Sequence, residues 1–132
     1  MKYLIAAFIS LGIFACSQEN KSSEKADMYE PSELSITMRK MVEFSKSAKA
    51  TLASGDSIKS VPQEIYDLAK RKGTRDEHEE EAFQSMVPAY LSALKGIERG
   101  DSQMYYYDAS IQACKTCHGT YCGGPLAIIN QL

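Results

Sequence analysis

Residues 104–121 read MYYYDASIQACKTCHGTY. Along this stretch Met104, Tyr107, Ile111, Cys114, His118 and Tyr121 follow one another at alternating steps of three and four. That is the spacing of one face of an α-helix, and it fits no strand, whose faces repeat every two residues. The stretch therefore predicts a helix that turns Cys114 and His118 toward the interior, ended by Gly123, Gly124 and Pro125.

Working outward, the same periodicity recurs three times. Leu34, Met38, Met41, Ala48 and Leu52 lie on one stripe, with Ser45 in its gap and Val42 and Phe44 widening it. Pro31 and Ser32 suit the start of this helix and Gly55 its end. A shorter helix fits Pro62 to Lys70, with Ser60 as cap and Ile65, Tyr66, Leu68 and Ala69 as its buried side, until Gly73 stops it. The acidic run DEHEEE, residues 76–81, then suits the positive end of a helix dipole. Beyond it run Phe83, Met86, Val87, Tyr90, Leu91, Leu94 and Ile97, with Pro88 predicting a kink or a restart. Gly100 and Asp101 separate this segment from the last helix. No segment alternates like a half-buried strand. Four helices with one apolar stripe each are buried most simply as an all-α, antiparallel four-helix bundle over residues 31–132.

The first 15 residues read differently. Lys2 precedes an apolar run from Tyr3 to Ala15, shorter than the roughly 20 residues a membrane-spanning helix needs. It reads as an export signal. Ile13-Phe14-Ala15-Cys16 resembles a lipobox, which implies lipidation of Cys16 as the first residue of the mature chain. Acylation with more than one chain would hold the protein on a membrane, facing the periplasm or the cell surface. Residues 16–30 are polar and lack periodicity, as expected of a flexible tether. Removing residues 1–15 takes one lysine and no acid from 15 cations and 17 acids, leaving a formal charge of −3. That is too mild, and of the wrong sign, for a nucleic-acid reader. No glycine-rich phosphate loop, Ser/His/Asp arrangement or internal repeat is visible.

Three of the four cysteines and one of the two histidines fall within residues 113–124. Cys114, two residues, Cys117 and then His118 is a c-type haem attachment signature that overlaps zinc and thiol-redox patterns. On a helix the three side chains leave one side within a turn, so two thiols can reach the two vinyl groups of one haem while the imidazole reaches its iron. A thioredoxin-like dithiol would need a βαβ surround that the periodicity denies. A zinc or iron–sulfur site from Cys114, Cys117, Cys122 and His118 would have to converge four ligands from nine residues of one helix. The bland reading is a disulfide, or cysteines that merely pack.

A C-terminal helix carrying CKTCHGTY, preceded by three helices with methionines on the first, resembles the cytochrome c prime class and its low-spin relatives, over roughly residues 31–128. The resemblance implies one haem c bound through Cys114 and Cys117, with His118 as proximal ligand and Tyr121 as the aromatic three residues on. The next position is commonly basic in that family and is Cys122 here. It also implies a distal ligand on the first helix. Met38 matches the family's distance to the end of that helix, Gly55, better than Met41, which lies about 60° away on the helical wheel.

A methionine ligand would make the chain an electron carrier between redox proteins, with no substrate and no catalysis. An open distal position would make it a binder of nitric oxide or carbon monoxide. The third reading is a helical lipoprotein without haem. His78, in the acidic run, reads as a surface residue. Of Tyr105, Tyr106 and Tyr107, one or two should lie at the surface or near the haem edge. Cys122 is a leftover thiol that in an oxidising compartment can pair between chains to give a homodimer.

Overall fold

The computed structural model describes residues 30–132. The signal, Cys16 and the tether up to residue 29 lie outside the described residues. Among those described, every regular element is helical and there is no strand. Three long helices dominate: α1 Glu33–Ala53, α4 Val87–Glu98 and α5 Gln103–Tyr121. Between and after them lie single turns: α2 Gln63–Tyr66, α3 Glu81–Gln84 and α6 Leu126–Ile129, with 3-10 turns at Leu68–Lys70 and Asp76–Glu79.

α1 starts where its residues dictate. Ser32 stays extended and its hydroxyl accepts from the Ser35 N–H at 3.2 Å, filling one of the amide positions a helix start leaves open. Leu34, Met41, Ser45 and Ala48 are buried on its inner face, joined by Thr37. Gly55 leaves the helix at φ 80, a left-handed conformation that costs glycine nothing.

The segment expected as one helix over 62–70 is broken at Asp67, whose φ of −84 and ψ of 8 turn the chain into a 3-10 turn. A helix this short has little hydrogen-bond cooperativity of its own, so burial of Val61, Ile65 and Leu68 sets its path instead. The acidic run is divided: Asp76–Glu79 make a 3-10 turn, and only Glu80 and Glu81 stand at the start of α3. Glu80, at ψ 148, separates the 3-10 turn from α3, and Glu77 and Glu79 bind Arg75 and the Gly73 N–H rather than a helix end. Pro88 sits in the first turn of α4, so the expected interruption is a restart at Val87.

Four residues, 99–102, join α4 to α5, and the two helices pack along one another as a hairpin. The ring of Tyr106 lies where a Cβ on Gly96 would stand, and Arg99 reaches over the same ring, 4.8 Å from its centre. α1 and α6 pack against α5. Leu94, Ile97, Ile65 and Phe83 occupy the centre of the core with Tyr107 and Ile111.

The start of α5 departs from the expected stripe. Met104 is 50% exposed and Gln103 takes the inward position at 7%. Its amide accepts from the Ile58 N–H at 2.9 Å and donates to the Ile58 and Ile97 carbonyls at 2.8 Å each. One polar side chain thus satisfies a loop and a helix end together. Replacing it with methionine keeps the volume and strands the Ile58 N–H and carbonyl, while the Ile97 carbonyl keeps the Gly100 N–H at 3.1 Å, so Gln103→Met is expected to lower stability by about 2 kcal/mol in urea unfolding.

Candidate functional site

The C-terminal half of α5 forms one wall of a mostly apolar cleft of about 510 Å³. Cys114, Cys117 and His118 line it from α5, with Leu34, Met38 and Met41 opposite on α1. Phe83, Tyr121 and Ile129 close it further. The volume falls within the roughly 300–1,000 Å³ usual for cofactor and ligand sites. Residues 76 positions apart in the chain, Met38 and Cys114, thereby share one cleft.

All three cysteines of the motif region are free, Cys114 and Cys117 half-buried and Cys122 exposed. Burial, with Cys117 beside it, pushes the Cys114 thiol up to about 12 from 9.0. Burial and then Cys122 raise Cys117. A redox-active dithiol needs the opposite, a stabilised thiolate. A thioether, by contrast, carries no charge at any pH, so burial does not disfavour it. Among the described residues no three His, Cys, Asp or Glu side chains gather as ligands of one metal ion.

The raised thiol has a consequence for stability. Unfolded, Cys114 ionises near 9; folded, near 12. Its contribution is complete below 9 and is lost as pH rises toward 12, because only the unfolded chain releases the proton in that interval. Urea midpoints of the haem-free chain are expected to fall from pH 9 upward, before the raised tyrosines Tyr66, Tyr90 and Tyr107 add to the loss above 10. Cys114→Ala, or conversion of the thiol to a thioether, should remove the first part of that fall.

His118 shows which of its nitrogens is free. Nδ1 lies 2.9 Å from the Cys122 carbonyl oxygen. A carbonyl only accepts, so Nδ1 is the donor in this bond, and whenever the ring is neutral the lone pair lies on Nε2. This is the arrangement a metal-ligating imidazole uses.

Set against protein families, curated proteins and solved structures, the chain matches none.

Met38 and Met41 both line the cleft; Met41 is buried at 8% exposure and Met38 half-buried. Both also border a smaller cavity of about 40 Å³ behind the motif, with Val87, Tyr90 and Ala113. Cys122 lines the cleft without joining the wall of the core. Of the three tyrosines, Tyr105 is 68% exposed, Tyr106 packs on Gly96, and Tyr107 is buried with its hydroxyl donating to the Leu132 carbonyl at 2.9 Å.

His78 is the residue that sequence reasoning misplaced. It lines the cleft, its ring centre 5.0 Å from that of Phe83, which meets Tyr121 edge-on at 5.2 Å. Its Nδ1 is buried with no partner. The ring fills the space a Cβ on Gly73 would need. Gly73, read as a helix stop, was the available signal, since only glycine admits the ring there.

Proposed function

We propose that this domain is a monohaem c-type cytochrome that passes single electrons between redox proteins, anchored to a membrane outside the cytoplasm through Cys16. The architecture proposed with it is a four-helix bundle whose arms are α1, residues 62–70, residues 81–98 and the attachment helix α5. The observation that carries the reading is the apolar cleft itself, lined by two half-buried thiols and the His118 imidazole from α5 and by two methionines from α1.

The residues fit the group. The Cys114 and Cys117 thiols would each add across one vinyl group, sulfur to one carbon and hydrogen to its neighbour, with no oxidant consumed. His118 Nε2 would be the proximal ligand and Met38 the distal one, with Met41 as alternative. Haem c held there supplies a one-electron ferric–ferrous couple. Leu34, Phe83 and Ile129 exclude water from it, and ligands carried on two packed helices need little rearrangement between redox states.

A second reading has its own observation. The small cavity behind the motif, bordered by Met38 and Met41, has room for a diatomic ligand such as nitric oxide or carbon monoxide if neither sulfur ligates. Visible spectra of the haem-loaded protein, oxidised and reduced, with and without carbon monoxide, separate the two. Low-spin spectra unchanged by carbon monoxide support the electron carrier. A high-spin reduced form that binds it overturns that reading.

A further inference from the structure

The carbonyl that orients His118 belongs to Cys122, the first residue outside α5. Cys122 has φ −153 and ψ 79, so the chain turns away from the helix at this residue and the helical bonding pattern no longer sets the peptide plane that follows it, the one that carries its carbonyl. The plane before it, the Tyr121–Cys122 peptide, is held at both ends: its N–H donates to the His118 carbonyl at 3.3 Å, and its carbonyl is gripped from outside the helix. Arg75 Nη2 donates to the Tyr121 carbonyl at 2.7 Å. A cation at that point also opposes the negative end of the α5 dipole.

Arg75 is itself held. The same Nη2 lies 2.7 Å from Glu77 Oε1, so its two hydrogens are engaged by Tyr121 and Glu77, and the His78 Nε2 at 3.5 Å is left without one. The backbone beneath Arg75 is tied to the start of α1: the Leu34 N–H donates to the Lys72 carbonyl at 3.1 Å and the Thr74 hydroxyl to Ser32 Oγ at 3.0 Å. Residues 72–77 thus form a strap from the first turn of α1 to the last carbonyl of α5. Arg75 also places a cation one peptide from Cys122, the position that carries none of its own.

We infer that Arg75 is a positioning residue for His118: by adding a second hold on the Tyr121–Cys122 peptide it fixes where Cys122 stands, so that the carbonyl of the next peptide stays where it accepts from Nδ1 and Nε2 stays unprotonated and free to ligate. The inference rests on the haem reading only for what Nε2 then binds.

The test is the tautomer of His118, read from the nitrogen shifts of its ring by NMR in the full chain without haem, in mildly alkaline buffer. The wild-type ring is expected as the Nδ1–H form. In Arg75→Gln the ratio of Nδ1–H to Nε2–H is expected to fall roughly three- to ten-fold, the weight of one hydrogen bond. Arg75→Lys should recover part of the loss, and Glu77→Gln, which frees the guanidinium without removing it, should show a smaller fall. An unchanged ratio in Arg75→Gln, or an equal loss in the lysine variant, would overturn the inference. Because no haem is present, failure of the cytochrome reading leaves this result untouched, and failure here leaves that reading standing.

Discussion

The double variant Cys114→Ala/Cys117→Ala is expected to lose all haem on denaturation, while either single variant keeps one covalent link and Cys122→Ala keeps both. The expectation comes from placement. Cys114 and Cys117 are half-buried on the cleft wall, and Cys122 is exposed beyond the end of α5. Burial also holds Cys114 as a neutral thiol, which is less open to oxidation than a solvated thiolate. The fold should survive, since removing a sulfur from a half-buried site costs about 1 kcal/mol, or about 2 kcal/mol for the double variant. The check is to unfold each variant in acid denaturant, separate the chain from free haem, and read the haem absorbance that stays with the chain.

Met38→Ala is expected to turn a low-spin, carbon-monoxide-inert protein into a high-spin one that binds the gas in its reduced state. Met38 lines the same cleft as His118, from α1, and is only half-buried at the edge of the core. Met41 differs. At 8% exposure it belongs to the core, and Met41→Ala should cost about 2–5 kcal/mol of stability while leaving the spectrum low-spin. Spectra and urea midpoints measured on both variants assign the two roles. If Met41→Ala, and not Met38→Ala, changes the spin state, the ligand assignment is reversed.

Much of the fold is legible because it depends on neighbours in sequence. The Ser32 cap, the inner face of α1 and the Gly55 exit follow from residues within a turn or two of one another. So does the facing of Cys114, Cys117 and His118, which one helical turn brings together. What escapes is set by groups far apart in the chain. Gln103 displaces Met104 from the buried face because its amide is the partner of the Ile58 N–H and carbonyl, 45 residues away. His78 leaves an acidic, polar run for the cleft because Gly73 makes room for its ring. The Arg75 bond to Tyr121 spans 46 residues and no periodicity announces it. α6, too, follows a Gly-Gly-Pro stop and forms because Ile129 finds the core at 3% exposure.

The central claim is that the cleft holds a haem bound through Cys114 and Cys117. The intact mass of the mature chain, taken from denaturant after production with a haem-attachment system, tests it most directly. A chain heavier by one haem is expected, with only Cys122 open to alkylation in the described domain. A chain of unmodified mass, with Cys114, Cys117 and Cys122 all alkylated, would contradict it.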